Sequence, residues 1–408
     1  MKCGLLGRKL GHSYSPQIHT YLGDYTYELY EEEPENIGNF LKTSSFSGLN
    51  VTIPYKKSVI PFCAKLTPEA KKLGAINTIV WQPDGSFLGH NTDYFGFLST
   101  VRKTGLNVKD KKVLVLGSGG ASVTAVAVLT ELGATVVTVS RTGENNYSNL
   151  TNHANASLIV NATPVGMYPN TGESPVTLDH FPILEGVIDM IYNPARTALL
   201  LQAEARNLVA ENGLWMLVAQ AKESAEWFTG KKIPDEIIPD IYQKLTKMMQ
   251  NIILIGMPGS GKTTVGKLLA SMTGKEFIDA DAYLESYAKM PIPQIFSEYG
   301  EEHFRQLETQ CLIALGKLSG KIIATGGGCV TRQENYPLLH QNGTLIWLQR
   351  NLDALPTDGR PLSQSGKLTE MYRIRKPLYE SFCDYTVENQ GNPVETAANI
   401  LACLQMEV

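Results

Sequence analysis

Residues 256–264 read Gly-Met-Pro-Gly-Ser-Gly-Lys-Thr-Thr, a pattern whose residue types and spacing suit a polyphosphate. Glycines at 256, 259 and 261 let backbone N–H groups turn inward on phosphate oxygens, with Ser260 between them and Lys262 able to reach the outer phosphates. Thr263 offers a hydroxyl to magnesium, and Thr264 follows it at the start of a helix. An apolar run at 252–255 enters the loop, and a helix-period stretch with Val265, Leu268 and Leu269 leaves it. That is the strand–loop–helix context in which such a loop binds a nucleoside triphosphate.

More candidate chemistry lies downstream. FIDAD ends a strand with Asp279 and Asp281, two residues apart and so on one face of the pleat. Beside a phosphate loop, one could serve magnesium and the other an acceptor hydroxyl. At a strand-to-helix turn the same residues could instead cap the helix. EEHFRQLE sets Arg305 and Glu308 at i and i+3, neighbours on a helix face. Glu308 could then fix the guanidinium while Arg305 reaches a substrate carboxylate, although such a pair alone is commonly a solvated salt bridge. ATGGG, with Gly327 at its centre, permits close backbone approach to a ligand; GRPLS holds Arg360 and RKPLY holds Arg375. Phosphoryl transfer to an anionic acceptor needs several fixed cations around one cleft.

The first 250 residues carry a different set. Four polar clusters stand out: GHSYSP with Ser13 and Ser15, NVTIPYK with Asn50, Thr52 and Lys56, GAINT with Asn77, and GHNTD with Asp93. Pro54 ends the strand through Asn50 and Thr52, which presents Lys56 at its C-terminal end, where open α/β sheets bind ligands. A lysine and an aspartate facing one small polyol would form an acid/base pair for carbonyl reduction. From the residues alone, two separate surface charges remain the ordinary alternative for Lys56 and Asp93. KVLVLGSGGA then places Gly117, Gly119 and Gly120 between a strand and a helix, a weak dinucleotide signal by itself. The next strand ends in Ser140-Arg141-Thr142 without an acid, which favours a 2′-phosphate, and so NADP over NAD.

The elements that must position these groups alternate along the chain. Strands are expected at CGLLG, YTYELY, GLNVTI, INTIVW, KVLVLG, ATVVTVS, SLIVNAT, GVIDMIY, EFIDAD, KIIATGGG, TLIWLQ and YTVEN. Helices are expected over 15–22, 35–41, 123–132, 197–212, 214–228 and 241–249. The alternation predicts an α/β fold, with a doubly wound parallel sheet in the second unit and another alternating unit after residue 250.

At 408 residues the chain is too long for one core. Hydrophobic content of 43%, charged content of 19% and a net charge of −4 describe soluble globular material without a footprint for nucleic acid or an anionic membrane. No apolar run reaches the roughly 18 residues of a membrane span, and the N-terminus does not read as a signal peptide. Six cysteines without metal-ligand spacing suggest reduced thiols in a cytoplasm.

Taken together, HSYSP, NVTIPYK, GAINT, HNTD, GSGGA, NATPVGM, DMIYNP and NGLWMLVAQA resemble shikimate dehydrogenase over about residues 1–245. The resemblance implies a substrate-binding α/β domain over 1–100, completed by returning helices about 214–245, and a Rossmann-type NADP domain over 101–213. It assigns shikimate contacts to Ser13, Ser15, Thr52, Asn77, Tyr192 and Gln220, and catalysis to Lys56 and Asp93. NADP contacts fall on Gly117, Ser118, Gly119, Gly120, Ala121, Arg141, Thr142, Met190 and Gly213. The family's Asn-Arg-Thr opens here with Ser140, and Glu144 and Asn145 stand where a second basic residue is usual, which weakens the preference for NADP.

GMPGSGKTTVGKLLA, FIDAD, GEEHFRQLE, GGG, RPL and R-x-PLY look like shikimate kinase, implying a P-loop kinase domain with a parallel sheet over 250–408. ATP contacts fall on Gly259, Ser260, Gly261, Lys262, Thr263, Thr264 and Arg360, and magnesium on Thr263 and Asp279. Shikimate falls on Asp281, Arg305, Gly327 and Arg375, with Asp281 and Lys262 catalytic. DALPTDGRPLS is shorter than the usual lid and lacks the arginine that commonly stacks on adenine.

The resemblances imply a bifunctional enzyme that reduces 3-dehydroshikimate with NADPH and then phosphorylates shikimate from MgATP. The expected partners are these small molecules, not nucleic acid or membrane, and an oligomer is left open. Two other readings stand beside it. A quinate dehydrogenase joined to a kinase is disfavoured by the Ser13/Ser15 pair. A metabolite sensor built from inactivated copies would be expected to lose Lys56, Asp93 or Lys262 and to gain a DNA-binding segment.

Overall fold

The computed structural model describes residues 1–11, 13–43, 45–355 and 365–406. Their backbone divides into two compact units, the first formed by 1–167, 173–192 and 199–244, the second by 168–172, 193–198 and 245–408.

The first unit contains two sheets. One is built from β1 (Lys2–Gly7), β2 (Thr26–Glu31), β3 (Gly48–Val51), β4 (Lys65–Leu66), β5 (Thr78–Trp81) and β6 (Phe87–His90), in the order β2-β1-β3-β5-β6-β4. It is mixed: β5 runs antiparallel to both β3 and β6. The short β4 and β6 carry no clear pattern in the sequence and were not among the expected strands. The other sheet, from β7 (Lys112–Leu116), β8 (Thr135–Val139), β9 (Leu158–Asn161), β10 (Gly186–Asp189) and β11 (Val209–Glu211), has the order β11-β10-β9-β7-β8 and is parallel throughout. Its central strands bury both faces, Leu114, Leu116 and Ile159 on one and Val113, Val115 and Val160 on the other. That two-sided burial explains the continuous apolar runs.

The helix expected over 197–212 is shorter than that. The chain is helical over Ala198–Ala205, turns at Asn207 with φ +55°, and enters β11. Three residues are too few for a period-2 signal to compete with the apolar helix before them. The helix Leu214–Thr229 closes the unit by packing against the helix Asp93–Thr104. Gly96 permits the close approach: a Cβ there would stand 2.9 Å from the Met216 carbonyl oxygen. Asp93 and Gln220 are thereby held on facing helices.

The second unit has one parallel sheet: β12 (Asn251–Ile255), β13 (Glu276–Asp279), β14 (Lys321–Ala324), β15 (Gly343–Gln349) and β16 (Tyr385–Glu388), ordered β13-β14-β12-β15-β16. Ile253, Ile255, Ile323, Leu345 and Trp347 pack on one face, and Ile252, Leu254, Ile322, Ile346 and Leu348 on the other. Each such side chain contributes about 1.5–3 kcal/mol on burial. The core therefore fixes the strand ends that carry the cleft. No described helix is long and apolar enough to cross a membrane.

Candidate active sites

In the first unit, Lys56 and Asp93 meet. Lys56 Nζ lies 2.6 Å from Asp93 Oδ2, and Asn77 Nδ2 donates to the other carboxylate oxygen at 3.0 Å. Lys56 comes from the turn after β3, Asp93 from the first residue of its helix, and Asn77 from the residue before β5. Asn77 is buried, and its Oδ1 accepts from the Thr92 backbone N–H at 2.8 Å, so its amide plane is fixed. An unfixed amide could not hold the carboxylate in one orientation.

A buried uncharged chain of hydrogen bonds continues from there. Thr92 Oγ1 lies 3.0 Å from Ser224 Oγ, which accepts from Asn50 Nδ2 at 2.8 Å; Asn50 Oδ1 accepts from the Tyr27 hydroxyl at 2.7 Å. Ser15 is buried at the start of its helix. Gln220 joins at Thr92, 3.3 Å away, while its Nε2 donates to the Leu217 carbonyl. Ser13 Oγ accepts from the Ser15 backbone N–H at 3.2 Å, and Tyr192 meets Tyr14, between the two serines, edge-on at 6.2 Å. Burial, and then Tyr14, push the Tyr192 pKa up. Thr52 makes no side-chain hydrogen bond among those described; it packs its methyl beside Gly7.

Tyr27 and Ser224 are not among the residues the sequence singles out, and Asn50 and Thr92 stand out there only as members of the NVTIPYK and GHNTD clusters, without an assigned role. Ser224 follows Gln220 by four residues and so shares its helix face, a signal that was available.

The second sheet of this unit presents the glycine turn. Gly117 follows β7 with φ +109°, and a Cβ there would come within 3.0 Å of the Ala162 carbonyl after β9. The order places β8 and β9 on opposite sides of β7, so the turn opens at the switch point of the sheet. Ser118, Gly119, Gly120 and Ala121 are exposed, with nothing within 4 Å of a Cβ at 119 or 120. The backbone here is open to a pyrophosphate at the N-terminus of the helix Gly120–Glu131. Arg141 and Thr142 stand exposed beyond β8. Gly213 closes against Met190, whose carbonyl would be 2.1 Å from a Cβ at 213.

In the second unit, a cavity of about 460 Å³ is lined by the phosphate loop, Asp279, Asp281, Arg305, Glu308, Gly326, Gly327, Gly328, Arg350 and Arg375. Lys262 folds back over the loop, donating to the carbonyls of Gly256 at 2.9 Å and Met257 at 3.0 Å. Gly261 has φ +97°, and a Cβ there would meet Asn389 Nδ2 at 2.3 Å; Asn389 in turn donates to the Ser260 carbonyl at 2.7 Å. Thr263 and Thr264 stand exposed at the helix start, and the Gly259 carbonyl accepts from Arg350 at 3.3 Å.

Asp279 and Asp281 do not share a strand face. Asp279 ends β13 and caps the next helix, its Oδ1 accepting from the backbone N–H groups of Asp281 and Ala282. Asp281 lies in the first helical turn. The capping preference of aspartate ends the pleat here. Both carboxylates nevertheless line the cavity. Thr263 Oγ1 donates to Asp279 Oδ2 at 2.8 Å, a pair of hard oxygen donors that fits magnesium, which takes few protein ligands besides phosphate and water. Asp281 is open to the cleft, yet crowding by protein raises its pKa, with Asp279 and Glu285 adding to the rise and Lys262 and Arg305 opposing it.

Arg305 and Glu308 are no surface pair. Both are buried and bonded at 2.7 Å, with Glu301 holding the guanidinium from the other side at 3.2 Å. Glu308 Oε1 has no hydrogen-bond partner among the described residues, and a Cβ at Gly326 would come within 2.5 Å of it. Arg375 and the Tyr379 hydroxyl both donate to the Gly327 carbonyl, at 3.1 and 2.5 Å. Arg360 lies outside the described residues. Arg350, Asn389 and the apolar wall of Ile292, Pro293, Phe296 and Phe304 were not foreseen.

Comparison with known proteins bears on both units. A shikimate dehydrogenase (NADP(+)) of Clostridium beijerinckii is 34% identical over 260 residues, covering 59% of this chain and 96% of its own. The chain belongs to the shikimate dehydrogenase family. The family model for the shikimate dehydrogenase substrate binding domain matches residues 5–79, and that for shikimate kinase matches 258–405. The structure of shikimate dehydrogenase 1 from Peptoclostridium difficile matches with a TM-score of 0.56 at 35% identity, over 60% of this chain and 97% of that one. A shikimate 5-dehydrogenase from Thermus thermophilus, solved with NADP(H) and shikimate, matches with a TM-score of 0.55 at 29% identity, over 60% and 99% of the two chains. Both resemblances read from the motifs therefore hold, one for each end of the chain. The dehydrogenase end is supported by whole relatives and the kinase end by its family model.

Proposed function

We propose that this chain catalyses two consecutive steps on one metabolite: NADPH-dependent reduction of 3-dehydroshikimate to shikimate, then phosphorylation of the shikimate 3-hydroxyl from MgATP. The reading rests above all on one observation. A single chain holds a Lys56–Asp93 pair at 2.6 Å and a phosphate-loop cleft lined by Arg305 and Arg375, and the matching families name the same substrate. Its parts are a substrate-binding domain over 1–100 with helices about 214–245, an NADP domain over 101–213, and a kinase domain over 250–408.

NADPH, when bound, supplies a hydride. Lys56 gives a proton to the carbonyl oxygen, and Asp93, oriented by Asn77, holds the ammonium in place. Ser13, Ser15, Thr52, Tyr192 and Gln220 bind the substrate, and Arg141 answers the 2′-phosphate. In the kinase, magnesium, when bound by Thr263 and Asp279, offsets phosphate charge. Lys262 leaves its two carbonyls to meet the outer phosphates, Arg305 and Arg375 hold the substrate carboxylate, and Asp281 takes the hydroxyl proton. A cytoplasmic location is part of the same proposal, supported by six free cysteines.

The test is an assay of the whole chain with 3-dehydroshikimate, NADPH and ATP, following both nucleotides at once. NADPH oxidation should precede an equal release of ADP. Release of no ADP would remove the second step, and absence of NADPH oxidation the first. Parallel NADP⁺ reduction assays with shikimate and quinate test the substrate; preference for quinate would overturn that assignment.

A further inference from the structure

Arg350 is the residue immediately after β15, the strand paired with β12 beside the phosphate loop. It therefore sits at the C-terminal edge of the parallel sheet, where ligands of such sheets bind. Its side chain lines the same cavity as Lys262, Thr263, Asp279, Asp281 and Gly327. The strand end is held firmly: Gln349 pairs with Glu388, its carbonyl accepts from the Asn389 N–H at 2.8 Å, and its Nε2 donates to the Tyr372 hydroxyl at 3.2 Å.

The charge of Arg350 is not committed. Its one hydrogen bond among the described residues runs from Nη1 to the Gly259 carbonyl at 3.3 Å, and it has no carboxylate partner there. Arg305, by contrast, is held by Glu308 and Glu301. A guanidinium carries five N–H donors in a planar fork suited to phosphate oxygens. A half-buried cation beside a phosphate loop, with most of its donors unpartnered among the described residues, is complementary to an anion rather than to the carbonyl alone.

We infer that Arg350 is a catalytic residue of the kinase cleft, contacting the transferring phosphoryl group from a fixed strand end; the inference rests on the kinase reading above. In the transfer, the bond from phosphorus to the departing diphosphate oxygen breaks and a bond to the shikimate hydroxyl oxygen forms. The hydroxyl proton passes to Asp281, and the free N–H groups of Arg350 donate to the non-bridging oxygens as charge spreads over them. The competing account makes Arg350 a brace for Gly259, which would support every nucleotide state equally.

Arg350→Ala and Arg350→Gln, each in the full chain, separate the two. Glutamine keeps an N–H donor for the Gly259 carbonyl and serves if the alanine variant does not fold. Kinase kcat and the Michaelis constant for shikimate are measured, together with calorimetric affinity for ADP alone and for ADP with aluminium fluoride and shikimate. The expected result is a fall in kcat of about 10²-fold or more, with affinity for the fluoride complex reduced by a similar factor. ADP affinity and the Michaelis constant should stay within about threefold. Equal losses for ADP and the fluoride complex, or an unchanged kcat, would overturn the role while wild-type turnover leaves the kinase reading standing. A wild-type chain that releases no ADP with shikimate would instead remove the kinase reading and this inference with it.

Discussion

The centre around Lys56 and the cleft around Lys262 handle charge in opposite ways. The first has one ion pair at the end of an uncharged relay through Asn77, Thr92, Ser224, Asn50 and Tyr27. The second gathers Lys262, Arg305, Arg350 and Arg375 around Asp279, Asp281 and Glu308 in one cavity. The proposed chemistries account for the difference. Carbonyl reduction develops charge on a single oxygen, which one proton donor can answer. Phosphoryl transfer carries a multiply charged group between two oxygens and needs several cations. Substitutions in the relay should therefore act through orientation, and substitutions in the cleft through charge.

The hardest test of that contrast is Lys262→Met, which removes a cleft charge without removing bulk. Kinase turnover should fall by about 10³-fold or more, as for other fixed cations in phosphoryl transfer, while shikimate oxidation stays at the wild-type level. Parallel loss of both activities in folded protein would show that the two centres are not independent. In the other centre, Lys56→Ala should lower NADP-linked shikimate oxidation by about 10²–10⁴-fold and spare the kinase. Retention of more than half the wild-type turnover would end its role as proton donor.

How much of this was legible varied with the range of the physics. The phosphate loop could be read whole because its chemistry is local: glycines, a lysine and a threonine within nine residues. The pairing of Lys56 with Asp93 could not be read from spacing, since the two lie 37 positions apart with three strands between them. The burial of Arg305 and Glu308 was equally hidden, because an i,i+3 pair looks the same on a wet or a dry face. The pleat expected for Asp279 and Asp281 lost to a helix cap, a competition the sequence itself posed. Arg350 carried no mark at all, a lone arginine being ordinarily solvated.

Charge in the cleft predicts smaller effects on binding. Arg305→Ala or Arg375→Ala should raise the kinase Michaelis constant for shikimate about tenfold or more, since bonds to a charged group are worth about 1.5–3 kcal/mol. The constant for ATP should change little. If Arg305→Ala disturbed ATP instead, the acceptor would lie elsewhere in the cavity. The raised pKa of Asp281 adds a pH signature. In the proposed transfer the ionised carboxylate accepts the hydroxyl proton, so kinase kcat should fall on acidification through a pKa above the ordinary 3.8. The same shift costs the folded state stability once pH exceeds 3.8. Asp281→Asn should therefore match or exceed wild-type Tm at pH 7, an advantage that vanishes below pH 3.8. A limb at the ordinary value would refute the shift.

The smallest effect expected is the one that best probes the relay. Ser224 is fully buried, accepts from Asn50, lies 3.0 and 3.2 Å from the hydroxyls of Thr92 and Thr78, and donates to the Gln220 carbonyl at 2.9 Å. Ser224→Ala removes no charge and no group placed on the substrate, but it strips Asn50 Nδ2 of its 2.8 Å partner. Its remaining contacts, Asn77 O at 3.3 Å and Thr78 Oγ1 at 3.1 Å, are longer. The cost should be about 1–3 kcal/mol of stability, the penalty for a weakened buried polar group. Dehydrogenase turnover should fall, but by at least about tenfold less than for Lys56→Ala, because Asn77 still accepts from the Thr92 N–H and keeps its hold on Asp93. The pH profile should keep its wild-type shape, since no titrating group is changed. A turnover loss equal to that of Lys56→Ala in folded protein would place Ser224 in proton transfer itself, and the relay could no longer be described as acting through orientation alone.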